Sequence, residues 1–247
     1  MSNRVESLTD YLVQTCKTET PYAEAIHHPF LKSAGNGTID KSLFCLWLSQ
    51  DRIYAAYAYP KFIGSLIAAI PFNKSVPLKM DESNREILKT LTACLENIVK
   101  EVEFFMAMAE KHGLDLEMWK ERKGTRDYVA EMDSIANSKN IEEGLIFLWA
   151  MEKVYLDAWT FVRAEFRKRF SDSEQRSMSP TDSLVQQFVE NWTSPEFVKF
   201  VEALAILANA TKVPLQRATE IWERVIELEK DFWPVAGEDI HMRRDGP

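Results

Sequence analysis

Glycine and cysteine are scarce in this chain, and each scarcity narrows what the protein can be. Only eight of its 247 residues are glycine, which argues against an all-β protein with its many tight turns. The three cysteines, Cys16, Cys45 and Cys94, are odd in number and far apart. They lack the spacing of a metal site and fit the reducing cytosol. We therefore expect a cytoplasmic protein.

Excess basic charge and long apolar runs are lacking as well. The net charge is −8, whereas a surface for nucleic acid or anionic membrane needs a basic face. No stretch of about 18 apolar residues is free of charge, so no transmembrane span is predicted. The first residues also lack the basic and apolar regions of a secretory signal. We expect neither a nucleic-acid nor a membrane partner.

Apolar residues recur at intervals of three and four along most of the chain, which is the period of an amphipathic helix. This pattern predicts an all-α protein, a single compact helical bundle over residues 1–247. The predicted helices cover about residues 4–17, 20–33, 40–70, 84–112, 125–137, 141–169, 184–192, 194–210 and 214–233.

Three segments interrupt the periodicity. Pro60 predicts a kink or a break inside the long 40–70 helix. Residues 171–183 have no periodicity and predict a mobile loop. Residues 237–247 predict a frayed tail.

A single acidic residue interrupts each of three otherwise apolar helix faces. Glu152 lies in the centre of a stripe that runs from residue 141 to 166, Asp51 lies in the 40–70 helix, and Glu229 lies in the last helix. An ionised carboxylate is costly to bury unless it is paired, hydrogen-bonded or neutralised. The three acids could converge on one cavity. Alternatively, each lies at the edge of its stripe or pairs with a nearby lysine or arginine.

Aromatic residues are concentrated on the same helical turns. Such residues usually form a core, but around several acids they also suit a flat heteroaromatic ligand. One carboxylate with a raised pKa can deliver a proton to a leaving amine while a second, ionised one activates water. That division suits hydrolysis of a C–N bond. The aromatic residues are Trp47, Tyr54, Tyr57, Trp149, Tyr155, Trp159, Trp192, Trp222, Phe232 and Trp233.

Other chemistries have weaker support. Nothing marks Cys45 or Cys94 beyond burial, so a filler role is favoured over a nucleophile. The chain has no Glu-x-x-His pair on an inward helix face, as a di-iron site would need, and no glycine-rich phosphate loop. His28 precedes Pro29 and is interpreted as a turn or capping residue rather than a haem ligand. We expect no metal and no cofactor.

Four segments of the chain resemble the TenA family (thiaminase II and relatives). They are "HHPFLKSAGNGTIDKSLFCLWL", "LSQDRIYAAYAYPKFIGSLIAA", "FLWAMEKVYLDAW" and "IELEKDFWPVA". Their order and separations agree with the family over about residues 20–236. The resemblance implies an all-helical, haem-oxygenase-like fold without implying haem.

The resemblance also implies roles for particular residues. Asp51 matches the aspartate that binds the aminopyrimidine ring, and Glu229 matches the catalytic glutamate of the last helix. Aromatic residues of the pocket are expected at Tyr54, Tyr128, Tyr155, Trp192 and Phe232.

The resemblance is incomplete at the nucleophile. Many members carry a nucleophilic cysteine where this chain has Met151. The chain instead resembles the cysteine-lacking branch found in plants and fungi, in which a glutamate replaces the cysteine. Glu152 occupies that place in "WAMEKVY".

The resemblance implies a hydrolase of amino- or formylamino-pyrimidines in thiamine (vitamin B1) salvage. Glu152 and Glu229 would share the general acid and base roles, and the sequence does not assign which residue has which role. By analogy with relatives we expect a homo-oligomer, either a dimer or a tetramer. One alternative is a non-catalytic pyrimidine-binding or regulatory protein. A weaker alternative is a cofactor-free oxidase similar to pyrroloquinoline-quinone synthases, for which the chain lacks a basic, histidine-rich pocket.

Overall fold

The computed structural model of the protein describes residues 7–170 and 178–244. Over this part of the chain the regular structure is helical apart from one isolated bridge between Trp119 and Arg243. The all-α prediction is therefore confirmed.

Twelve α-helices are described. They are α1 (Leu8–Asp10), α2 (Tyr22–Ile26), α3 (Pro29–Asn36), α4 (Lys41–Ile53), α5 (Tyr59–Ala69), α6 (Glu82–His112), α7 (Lys123–Ser138), α8 (Ile141–Phe170), α9 (Pro180–Trp192), α10 (Pro195–Asn209), α11 (Leu215–Phe232) and α12 (Glu238–His241). A π-helical turn, Tyr11–Thr15, follows α1, a second one, Tyr54–Ala58, joins α4 to α5, and a 3-10 turn covers Leu78–Met80.

Helix α8 runs through the middle of the bundle. It packs against α2, α3, α9, α10 and α11, while α4 to α7 contact one another around the second π turn. A buried aromatic cluster joins the two groups: Trp47 of α4 packs against Trp159 of α8 and Phe188 of α9, with ring centroids 5.4 and 5.6 Å apart. The described helices include none that is long and apolar enough to cross a membrane.

The helix ends follow local capping rules. The Asp40 carboxylate accepts a hydrogen bond from the Ser42 amide at 2.7 Å and starts α4, as its position before the apolar run predicts. Helix α6 ends at Gly113, whose φ of 60° is readily adopted by glycine.

Two of the predicted long helices are divided. The predicted 20–33 helix is two helices, because His28 takes an extended conformation (ψ 146°) immediately before Pro29, as the steric demand of a proline favours. The predicted 40–70 helix changes to the π turn before Pro60, which lies in the first turn of α5. The kink or break expected at Pro60 takes the form of this π turn, through which the backbone stays helical.

The predicted loop and tail are shorter than the sequence suggested. Helix α9 already begins at Pro180, capped by a reciprocal pair of hydrogen bonds between Ser179 and Asp182. Residues 171–177 of the predicted loop lie outside the described residues.

The tail is packed as far as residue 244. It forms α12, and the Arg244 amide donates to the Met118 carbonyl at 2.9 Å, so the prediction of fraying from residue 237 is wrong for this part. Backbone pairing with residues 118–120 supplies the order that the polar sequence did not indicate. Residues 245–247 lie outside the described residues.

Candidate active site

A cavity of about 220 Å³ lies between α6, α8 and α11. It is lined by side chains from α4, both ends of the second π turn, and α6 to α11. All eight residues proposed from the sequence line it: Asp51, Tyr54, Tyr128, Glu152, Tyr155, Trp192, Glu229 and Phe232.

Asp51 lies on the buried face of α4 and is only 3% exposed. Its Oδ2 accepts a hydrogen bond from the Tyr155 hydroxyl at 3.0 Å. Burial raises the pKa of Asp51 to about 7, the bond from Tyr155 opposes this rise, and the charge of Glu152 adds to it. Asp51 therefore titrates near neutral pH.

Glu152 lies in the middle of α8 and borders the cavity. Its Oε1 accepts a hydrogen bond from the Tyr59 hydroxyl at 2.6 Å. Burial raises the pKa of Glu152 to about 7, and the bond from Tyr59 partly offsets this. The helical stripe thus places an acid inside the bundle because that part of the stripe faces a cavity instead of a neighbouring helix.

Glu229 lies one turn before the end of α11 and is 2% exposed. Its Oε1 accepts a hydrogen bond from the Tyr128 hydroxyl at 2.6 Å. Its Oε2 is buried and has no hydrogen-bond partner among the described residues. Burial raises the pKa of Glu229 to about 8, the Tyr128 bond lowers it, and the charges of Asp51 and Glu152 raise it.

These three acids do not pair with basic side chains in the described part of the chain. The two neighbours in sequence pair elsewhere: Lys153 with Asp157 at 2.7 Å, and Arg52 with Glu117 at 2.9 Å. An acid in an apolar stripe is usually interpreted as the partner of a nearby lysine or arginine. Among the described residues, none of these three acids has such a partner.

Aromatic rings form the rest of the cavity wall. The Tyr54 ring lies 5.4 Å from that of Tyr128 and 6.2 Å from that of Phe232. The Tyr155 ring meets Trp192 edge-on at 5.1 Å. The Tyr54 hydroxyl points to the Met151 sulfur at 3.5 Å, a weak acceptor, so it can still bond to a ligand.

The sequence interpretation missed several residues of the cavity wall, of which Tyr59 and Glu101 bear most directly on its chemistry. Tyr59 follows the π turn, whose extra residue per turn changes which side chains face inward, so a regular helical spacing from Asp51 could not assign it. Glu101 shares a face of α6 with Cys94 and Ile98, spaced by four and three residues. That spacing indicates Glu101, but the apolar neighbour Val102 continues the hydrophobic stripe equally well and hides this signal.

The cysteines differ in their relation to the cavity. Cys94 borders it beside Tyr59, and burial raises the pKa of its thiol to about 12. Cys45 lies outside it and contacts the Trp119 indole nitrogen at 3.4 Å. A thiol held in its neutral form is a poor nucleophile, which agrees with a filler role.

Comparison with known proteins places the chain in a family. Residues 17–239 match the model of the TENA/THI-4/PQQC family. The chain belongs to this family. Its structure is similar to that of a TenA homologue from Pyrococcus furiosus, with 26% identity, a TM-score of 0.70 and coverage of 92% of this chain and 98% of that one. The haem-oxygenase-like fold expected from the resemblance is thus confirmed.

Two further likenesses are more distant, and the structural one agrees on the fold. A structure described as a putative TenA-like thiaminase from Sulfolobus solfataricus has a TM-score of 0.61 at 14% identity, covering 94% of this chain and 95% of that one. Among curated sequences, a probable bifunctional TENA-E protein of Glycine max is 22% identical, covering 86% of each chain.

One fungal relative is much longer than this chain. A probable transcription factor of Fusarium pseudograminearum is 25% identical over 221 residues, which are 79% of this chain and 43% of that protein. The chain therefore spans less than half the length of this relative.

Proposed function

We propose that the protein is a hydrolase of amino- or formylamino-pyrimidines in thiamine salvage, of the cysteine-lacking, glutamate-containing TenA branch. The observation that carries this proposal is the meeting of Asp51, Glu152 and Glu229, each with a pKa near neutrality, in one aromatic cavity. Family membership, the soybean relative described as a probable bifunctional TENA-E protein and the putative thiaminase of the same fold support it.

The cavity suits a small heteroaromatic ligand. Its volume of about 220 Å³ is below the range typical of drug-sized ligands and leaves room for one substituted ring. Asp51 would accept a hydrogen bond from the pyrimidine amino group, while Tyr54 and Phe232 would pack against the ring.

The two glutamates would divide the proton transfers. Burial and the charges of Asp51 and Glu152 both raise the pKa of Glu229, so it is the better candidate for the protonated acid at neutral pH. Glu152, with a pKa of about 7, would accept a proton from water as that water attacks the carbon of the C–N bond. When the C–N bond of a formylamino-pyrimidine breaks, its nitrogen takes the proton of Glu229, and the products are formic acid and the aminomethyl-pyrimidine. An aminomethyl-pyrimidine that binds as its ammonium cation already carries that proton, so it releases ammonia and gives the alcohol.

Replacement of either glutamate tests this mechanism. We expect Glu152→Gln and Glu229→Gln each to lower kcat for hydrolysis of the formylaminopyrimidine by about 10²- to 10⁴-fold, the usual contribution of an acid or base. Circular dichroism should show unchanged helicity. The matched control is Glu220→Gln, an exposed residue of the same helix as Glu229. A variant with near-normal kcat would exclude that residue from the chemistry.

A second candidate is a pyrimidine-binding protein without turnover. Met151 stands where many members carry the nucleophile, and the Fusarium relative is described as a probable transcription factor. Incubation with formylaminopyrimidine, followed by mass spectrometry and thermal unfolding, separates the two. A rise in Tm without product over hours would favour the binding protein.

A further inference from the structure

Glu101 is a fourth acidic side chain at the cavity, and the proposed mechanism leaves it unused. It lies on α6, and its Oε2 is 3.4 Å from the Trp192 indole nitrogen. This is a long bond, and no ion pair to Glu101 occurs among the described residues. Burial, followed by the charges of Asp51 and Glu152, raises the pKa of Glu101 well above its ordinary value, and the Trp192 bond lowers it.

In the described part of the chain, no lysine or arginine forms an ion pair with these acids. Among the residues that line the cavity, Lys100 is the sole lysine or arginine, and its side chain is exposed. Glu229 meanwhile presents a buried oxygen without a partner. An acid-lined cavity of this kind is completed by a ligand that brings positive charge and N–H donors, because ionised carboxylates in a low dielectric are stabilised by an opposite charge.

Glu101 is placed to meet the outer part of such a ligand. It lies on the α6 wall of the cavity, one turn beyond Asn97, and its side chain is partly exposed. Asp51 and Glu152 are within electrostatic reach of it. A ligand whose ring bonds to Asp51 can therefore direct a substituent toward Glu101.

We propose that Glu101 is a specificity-determining residue that accepts a charge-assisted hydrogen bond from a protonated amine substituent and selects it over a neutral amide. This inference rests on the proposed function, since it names which of the two proposed substrate classes the cavity prefers. We expect the amino substrate, an aminomethyl-pyrimidine whose amine is cationic at neutral pH, to be preferred over its N-formyl derivative. Trp192 acts as a positioning residue that holds the Glu101 carboxylate toward the cavity.

The experiment compares Glu101→Gln with the wild type on both compounds. We expect kcat/KM for the aminomethyl-pyrimidine to fall roughly tenfold or more, since a bond to a charged group is lost, and kcat/KM for the formyl derivative to change by less than about twofold. The matched control is Glu103→Gln, an exposed acid two residues further along α6. Equal losses on both compounds, or no loss on the amine, would overturn the inference.

Two further measurements distinguish a failure of this inference from a failure of the proposed function. Thermal unfolding should give Glu101→Gln an unchanged or higher Tm, whereas a merely structural role would lower it. Calorimetric titration of each compound measures selectivity without turnover. If the wild type hydrolyses neither compound, selective loss of amine affinity in Glu101→Gln would still support the selector role while the proposed reaction fails. An equal loss of affinity for both compounds in Glu101→Gln, or no binding of either compound by the wild type, would overturn the selector role.

Discussion

At the scale of single residues, each central acid of the cavity bonds to a tyrosine. Asp51, Glu152 and Glu229 accept hydrogen bonds from Tyr155, Tyr59 and Tyr128 in turn. An arginine or lysine would hold a carboxylate in its ionised form, whereas a phenol opposes the effect of burial only in part. The acids are thereby left with pKa values near 7 and 8, where they can exchange protons at neutral pH.

Replacing one of these tyrosines by phenylalanine should shift one limb of the pH profile of kcat/KM. The bond from Tyr128 lowers the pKa of Glu229, so Tyr128→Phe raises that pKa. If Glu229 is the general acid, kcat/KM, measured from pH 5 to 10, should retain activity to higher pH in the variant than in the wild type.

The exposed Tyr57 provides the control for this experiment, because Tyr57→Phe removes a hydroxyl outside the cavity. If instead the acidic limb of the kcat/KM profile moves to higher pH in Tyr128→Phe and the alkaline limb does not move, Glu229 is the general base.

At the scale of elements, the π turn between α4 and α5 sets the direction of three cavity side chains. The Tyr59 amide donates to the Tyr54 carbonyl five residues earlier, and Pro60 has no amide with which to restore the α-helical pattern. Asp51 and Tyr54 before the turn and Tyr59 after it consequently line one cavity. Turns of this kind are frequent at functional sites.

Restoring the missing amide should disturb the site more than the fold. We expect Pro60→Ala to lower kcat/KM roughly tenfold, since small displacements of positioned groups are costly. The free energy of unfolding should change by no more than about 1 kcal/mol. Lys61→Ala, at the exposed neighbouring position, is the control. Unchanged kcat/KM in Pro60→Ala would show that the turn does not position the site.

Arg122 fixes the end of the helix that carries Glu229. Its guanidinium is buried and donates to the Phe232 and Asp231 carbonyls at 2.5 and 3.1 Å and to both carboxylate oxygens of Glu238 at 2.7 and 2.9 Å. These contacts satisfy carbonyls at the end of α11 and tie α12 to it.

Arg122→Met should therefore destabilise the protein, because it leaves these acceptors without partners. We expect the free energy of unfolding to fall by about 3 kcal/mol in urea titrations, with a lower kcat through displacement of Glu229. Arg126→Met removes an exposed arginine of α7 and should have little effect. A stability loss as small as that of the control would contradict a structural role for the Arg122 contacts.

At the scale of the whole molecule, the cavity is a cost to stability. Groups arranged for binding and catalysis often destabilise the fold that carries them. Here the cost has a pH dependence of defined sign, because burial raises the folded-state pKa of Asp51 and Glu152 to about 7 and that of Glu229 to about 8, from ordinary values near 4. Folding is favoured while these groups are protonated, and that contribution is lost as pH rises from about 4 through 8.

The Tm of the ligand-free protein should consequently fall between pH 5 and pH 8.5. Glu229→Gln should flatten this fall and be more stable at pH 8.5 by on the order of 3 kcal/mol, whereas Glu220→Gln should follow the wild type. Calorimetric unfolding across the range measures both. Parallel curves for Glu229→Gln and the wild type would mean that Glu229 does not resist ionisation in the fold.

Much of this arrangement is determined by the sequence alone. The three- and four-residue spacing predicts the helices, and the acid that interrupts each stripe at Asp51, Glu152 and Glu229 marks the cavity. These inferences succeed because a helix has a fixed period, so the chain itself states which side chains share a face. Pro60 likewise marks the break in its helix through its missing amide.

Only the tertiary structure decided which faces meet and with what partners. Hydrogen bonds join Glu152 to Tyr59, Glu101 to Trp192, and Arg122 to Glu238 of α12. These partners are 93, 91 and 116 positions apart along the chain. No local period encodes such separations, and the π turn changes the period where Tyr59 enters. The helices are fixed by neighbours along the chain, whereas the protonation of the site is fixed by burial between them.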